Sequence, residues 1–153
     1  MFKKQVNERS PMRVFERSIH GGLGKGNVGV VLSRAGIGKT AFLVDIALDD
    51  LMQDRKVLHV NIDDPVEKVR NFYDEVFSDL AESMKLENRD RVHLNVERHR
   101  LIQTWAADSF SLEKLRNGIS MAAEVMKFEP EVIVVDGFPR FSEATEDDLL
   151  TLK

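Results

Sequence analysis

The stretch VGVVLSRAGIGKT, residues 28–40, decides the fold. Its first five residues are a short, continuous apolar run, which predicts a strand buried on both faces. Residues 41–53, which follow it, carry apolar side chains at helical spacing and predict a helix. Between them lies a loop with two glycines and a lysine. A loop of this kind that follows a buried strand and opens a helix is typical of a phosphate-binding loop.

Each part of this loop has a physical role in that interpretation. Backbone N–H groups would surround phosphate oxygens, and Gly36 and Gly38 would let the chain curl closely around them. Lys39 would reach the β- and γ-phosphates, and the hydroxyl of Thr40 would hold Mg²⁺. The predicted nucleotide-binding set is Ser33, Arg34, Ala35, Gly36, Ile37, Gly38, Lys39, Thr40 and Ala41. Ser33 departs from the motif G-x-x-x-x-G-K-[ST], whose first position is glycine. The alternative is a structural glycine-rich turn with an incidental lysine.

The rest of the chain alternates between predicted strands and helices. Strands are predicted at 56–62, 91–96 and 131–136, and helices at 65–84 and 112–126, the latter capped by Ser111. This alternation predicts parallel pairing with right-handed crossovers, hence a doubly wound α/β sheet. Residues 1–18 are predicted to form an N-terminal arm or short helix, and residues 19–153 the nucleotide-binding domain.

Asp136 ends the last predicted strand, at the carboxyl edge of the sheet, where open α/β folds bind ligands. A carboxylate there usually holds the metal through water, so Asp136 is the second predicted magnesium residue. The segment DGFPR, residues 136–140, also resembles the signature of adenylate kinases. Three features argue against that resemblance: Thr40 directly follows Lys39, the loop and Asp136 are far apart in sequence, and Ala144 stands where that signature ends in Asn or Gln.

A different resemblance covers about residues 18–140. The segment SIHGGLGKGNVGVVLSRAGIGKTAFLVDIAL, residues 18–48, is similar to the opening of a RecA-type ATPase domain, most of all to its KaiC branch. In NIDDPVEKV, residues 61–69, Asp63 and Asp64 occupy the positions of two adjacent acidic residues, one of which polarises the attacking water in that family. The resemblance implies a mainly parallel RecA-type sheet, ATP and Mg²⁺ as ligands, and homo-oligomer contacts.

Two departures from that family affect the expected chemistry. Aspartate is one methylene shorter than the family's usual glutamate, and a displacement near 1 Å can lower a rate about a hundredfold. Slow hydrolysis, or binding without hydrolysis, is therefore expected. The alternative role of the acidic pair is to complement the dipole of the following helix.

The second departure is that the chain ends at TEDDLLTLK, residues 145–153. In RecA-type sheets, another strand follows the magnesium-side strand and inserts between it and the strand before the phosphate loop. We expect the sequence to be truncated at its C-terminal end, or a partner or rearranged strand to fill that position.

Composition limits the remaining possibilities. A length of 153 residues fits one domain with its own core, and the net charge of −4 argues against a general affinity for nucleic acid or anionic membrane. A local basic patch would escape that argument. The absence of cysteine excludes disulfides and thiolate metal sites. No apolar run has the length of a signal peptide core or a membrane span, which predicts a cytoplasmic protein.

The segment ERHRLIQ, residues 97–103, has two interpretations. Arg98 or Arg100 would reach a neighbouring subunit's phosphates, as RecA-type rings often arrange, or the segment is a solvated loop.

Three functions follow from the whole sequence. The first is an ATP-binding module with slow Mg²⁺-dependent hydrolysis to ADP and phosphate, and the second is a nucleotide-responsive regulatory module without turnover. The third is a nucleoside monophosphate kinase.

Overall fold

The computed structural model describes residues 10, 12–34 and 36–137 of the chain. Within these residues, a three-stranded parallel sheet has helices packed on both faces. In chain order the elements are α1 (Met12–Ser18), α2 (Lys39–Met52), β1 (Val57–Ile62), α3 (Val66–Ser83), α4 (Arg89–His99), β2 (Arg100–Trp105), α5 (Leu112–Glu124) and β3 (Val132–Asp136). The predicted α/β class and parallel pairing are confirmed.

The sheet has the strand order β2–β1–β3. β1 pairs with β2 from Val57 opposite Arg100 to Ile62 opposite Trp105. It pairs with β3 on its other side, where Asn61 lies opposite Asp136. Because all three strands run in one direction, their carboxyl ends meet at the same edge of the sheet. The residues that follow β1 therefore lie beside the end of β3.

Alternate residues of β1 face two separate cores, as expected of a central strand. Val57 packs with Val134 of β3 against helices α2, α3 and α4, in a core that includes Leu48, Leu51, Tyr73, Phe77 and Val96. Leu58 and Val60 pack on the opposite face against Leu115 of α5. β1 confirms the strand predicted at 56–62, and all six of its residues are buried.

Two helix starts follow local signals in the sequence. α5 begins after Ser111, whose hydroxyl oxygen accepts a hydrogen bond from the Lys114 N–H at 3.2 Å, so the predicted cap is confirmed. α2 begins after Gly38, which has a left-handed φ of 87° that favours glycine. α1 packs on α2 through an edge-to-face contact of Phe15 with Phe42, at 5.2 Å between ring centroids.

The predicted strand at 91–96 is wrong, because these residues lie inside helix α4. Val92 and Val96 are buried, whereas Leu94 is exposed. The two valines are four residues apart and therefore face the core from the same side of a helix. In a strand, Leu94 would face the core with them. The strand begins at Arg100. The solvated loop predicted at 97–103 is therefore also wrong, since these residues end α4 and begin β2.

The predicted strand at 28–32 is wrong as well. These residues form no regular secondary structure, and Leu32 is 74% exposed. β1 already has a neighbour on each side, and the free side of β3 does not pair with this segment in the described part of the chain. Without a partner strand, an apolar run of this length has no ladder to join.

No helix among the described residues is both long enough and apolar enough to cross a membrane.

Candidate nucleotide-binding site

The predicted phosphate loop curls back on its own lysine. Gly36 and Gly38 have left-handed φ values of 78° and 87°, which allow the tight turn before α2. The Lys39 ammonium donates hydrogen bonds to the backbone carbonyl oxygens of Ser33 and Arg34, each at 3.0 Å. The loop thus encloses a positive charge, and its residues 33, 34 and 36–38 are exposed. Ala35, also predicted to bind nucleotide, lies outside the described residues.

The start of α2 adds a second feature that favours an anion. Thr40 and Ala41 lie in its first turn, where backbone N–H groups have no partner within the helix. Its N-cap offers no side-chain hydrogen bond, and its first turn contains no acidic residue. The helix dipole and these N–H groups together favour a negatively charged group in front of residues 38–41.

Asp136 lies at the end of β3 and is 7% exposed. Its Oδ2 accepts a long hydrogen bond of 3.5 Å from the amide of Asn61. α2, which carries Thr40, packs against β3. The described residues contain no group of three potential metal ligands. Mg²⁺ usually takes only one or two carboxylates and completes its shell with water and phosphate oxygens, so the single carboxylate of Asp136 is chemically compatible with this ion.

Both members of the acidic pair have partners in the turn after β1. Asp63 has a left-handed φ of 79°, and its Oδ1 accepts a hydrogen bond from the Ala107 N–H at 2.7 Å. Asp64 forms an ion pair with Lys68, one helical turn further on, at 2.6 Å. The two carboxylates therefore stabilise the start of α3 and the loop after β2, in addition to any role towards a ligand.

Asn61 is a site residue that sequence reasoning missed. Its side chain is 2% exposed, and its carbonyl Oδ1 accepts a hydrogen bond from the Asp64 N–H at 2.9 Å. The same amide group donates to Asp136. Asn61 thus connects the acidic turn to the end of β3. A polar residue inside a mainly apolar strand was the available signal, but its partners depend on strand register.

A buried polar pair lies on the same face of β1, two residues earlier. The imidazole Nδ1 of His59 and the hydroxyl of Tyr73 are 2.8 Å apart, and both side chains are fully buried. Burial lowers the pKa of His59 to about 4, although the carboxylate of Asp136 opposes the shift. Burial also raises the pKa of Tyr73 above its ordinary value. Both groups are neutral at neutral pH.

No model of a known protein family matches the sequence, and comparison with curated proteins and with solved structures gave no match. The tail of the DGFPR segment, residues 138–140, lies outside the described residues, so the interpretation of its adenylate kinase resemblance as coincidental stays a prediction.

Proposed function

We propose that this chain is an ATP-binding, Mg²⁺-dependent NTPase module of the RecA type, most similar to the KaiC branch, with slow hydrolysis of ATP to ADP and phosphate. The observation that carries the proposal is the Lys39 ammonium, which lies against the backbone carbonyl oxygens of Ser33 and Arg34 in its own loop. That ammonium is held by two neutral carbonyl oxygens of its own loop. A phosphate oxygen carries a formal charge and would form a stronger, charge-assisted hydrogen bond in their place.

In this proposal, different residues of the site bind the phosphates and the metal ion of Mg-ATP. The loop N–H groups and Lys39 bind the phosphates, while Thr40 and Asp136 hold the metal, directly or through water. Mg²⁺ would neutralise charge that develops on the transferred phosphoryl group. Asp63 or Asp64 would orient the attacking water. The RecA-type assignment rests on the sequence resemblance, and residues 28–32, which would be a strand in such a sheet, form no regular secondary structure here.

A regulatory module that binds nucleotide without turnover is the second candidate. It is favoured by the contacts of the acidic pair, because Asp63 holds the Ala107 N–H and Asp64 holds Lys68. A carboxylate that is fixed by such a contact is less available to orient water. The measurement that separates the two candidates is release of phosphate from ATP in a single turnover, at a protein concentration where binding is saturated.

Thermal denaturation with and without Mg-ATP tests the shared step, which is binding. A ligand that binds only the folded state at one hundred times its Kd adds about 2.7 kcal/mol of stability. We expect the wild type to gain stability of this order, and Lys39→Ala to lose the gain. Lys25→Ala is the matched control, since Lys25 is exposed in the glycine-rich segment before the loop. An unchanged melting temperature of the wild type in millimolar Mg-ATP would refute the proposal.

A further inference from the structure

A groove on the far side of the sheet from α5 carries an unusual set of charges. It lies between α3, α4 and the beginning of the edge strand β2, and has a volume of about 390 Å³. Three arginines line it: Arg70 of α3, Arg98 at the end of α4, and Arg100 at the start of β2. Glu97 is the one carboxylate among the lining residues, and Val66, Leu94 and Ile102 contribute apolar side chains to the wall.

None of the three guanidinium groups has an ion pair or a hydrogen bond to a described residue. Arg100 is the most constrained, because its guanidinium lies over the ring of Tyr73 at 4.4 Å from the centroid. Burial lowers the pKa of Arg100, and Arg70 nearby lowers it further, against the opposing effects of Tyr73, Asp74 and Glu97. Arg100 is half-buried, whereas Arg70 and Arg98 are exposed, so an anion in the groove would add a favourable interaction to a guanidinium whose charge is partly desolvated.

We propose that this groove is a second ligand site, which binds a small molecule through a phosphate monoester group. Three guanidinium groups and one carboxylate leave the lining with a formal charge of +2. A phosphate monoester carries about −1.5 to −2 at neutral pH, so it matches this charge more closely than a single carboxylate does. The planar fork of arginine suits phosphate oxygens because it donates two parallel hydrogen bonds.

The shape of the groove also favours a small ligand. Its volume lies within the range of small-molecule sites, about 300–1,000 Å³. The apolar side chains of Val66, Leu94 and Ile102 would contact the organic part of the molecule. None of the residues that line the groove belongs to the phosphate loop or its helix. The proposal is therefore independent of the proposed function, and either can fail alone.

Titration of the full chain followed by amide NMR tests the proposal, with phenyl phosphate as the probe. We expect saturable shifts at the amides of residues 98–102, with affinity that falls as salt is added. Arg70→Gln and Arg98→Gln should each weaken binding about ten- to a hundredfold, the range for a charge-assisted hydrogen bond. Arg70→Lys should recover part of the loss. Arg116→Gln on the exposed face of α5 is the matched control and should bind as the wild type does.

Two further probes define the ligand class. Dimethyl phosphate, which carries a single charge, should bind at least about tenfold more weakly than the monoester if two charges are matched. Lys39→Ala should leave the shifts at residues 98–102 unchanged. The proposal is overturned if phenyl phosphate does not shift these amides, or if Arg70→Gln and Arg116→Gln bind it equally. Binding only of a phosphorylated peptide, or only where the chain self-associates, would also overturn it.

Discussion

Substitutions of Asp63 distinguish most clearly between a structural role and a catalytic role of the acidic pair. It combines a left-handed φ of 79° with a carboxylate oxygen that accepts the Ala107 N–H at 2.7 Å. Asn keeps both properties, since it tolerates this backbone conformation and has a side-chain carbonyl oxygen in the same place. Ala keeps neither. We therefore compare Asp63→Asn with Asp63→Ala in stability and in ATP turnover.

The size of the effect follows from two contributions. An alanine in the left-handed region is less stable by about 1–2 kcal/mol, of which aspartate already bears a part. Loss of the hydrogen bond adds about 0.5–1 kcal/mol, at the low end of the usual range because water reaches this exposed site. We expect Asp63→Ala to lower the free energy of unfolding by about 1–2 kcal/mol. For a chain of this length, that is a fall in melting temperature of about 2–8 °C.

Urea denaturation followed by circular dichroism measures the stability, and single-turnover phosphate release measures the chemistry. Asp63→Asn should stay within about 0.5 kcal/mol of the wild type, as for substitutions that remove no specific contact. If it also hydrolyses ATP at the wild-type rate, Asp63 is structural; if turnover falls while Mg-ATP affinity holds, Asp63 orients water. Equal stability of Asp63→Ala and the wild type would refute the structural reasoning.

Two other predictions concern stability. His59 has a folded-state pKa of about 4, below its ordinary 6.5, so the unfolded chain binds the extra proton first as pH falls. The free energy of unfolding should therefore decline from about pH 6.5 towards pH 4, by at most about 3 kcal/mol. His59→Phe should flatten this decline, as measured by urea denaturation at several pH values. An unchanged slope in this variant would contradict the low pKa of His59. Leu32 is 74% exposed and Leu51 is fully buried, so Leu32→Ser should change the unfolding free energy by less than about 0.5 kcal/mol. Leu51→Ala should lower it by about 2–5 kcal/mol, and a comparable loss for Leu32→Ser would place residues 28–32 in a buried strand.

Elements with a strong local pattern could be predicted from the sequence. β1 and β3 are short apolar runs, and α3 and α5 carry apolar residues at helical spacing over many turns. The prediction of a strand at residues 91–96 was wrong because its pattern is ambiguous. Three apolar residues at alternate positions indicate a strand, but the first and third of them are also four residues apart, as on one face of a helix. In α4 that pair, Val92 and Val96, meets the core. No turn residue separates α4 from β2, so the sequence offered no boundary at Arg100.

The prediction of a strand at residues 28–32 was wrong for a different reason. Its residues have strand propensity, but a strand forms only when it pairs with another strand. Which segments pair is a property of the assembled sheet, and the local sequence contains no information about it. The loop after the segment was easier to predict, because Gly36 and Gly38 themselves permit the left-handed turn that it needs. Its nucleotide-binding role stays a prediction.

The contacts at the carboxyl edge of the sheet depend on register, and this limits how the acidic residues can be interpreted. Asn61 lies opposite Asp136 and holds both the Asp136 carboxylate and the Asp64 N–H. A change at any one of these residues therefore shifts the partners of the others, and their effects should not be additive. Loss of activity in a variant of Asp64 or Asn61 alone would not identify a catalytic group. Asp63 is the better position to test, because its carboxylate contact is to the loop after β2 and not to Asn61 or Asp136.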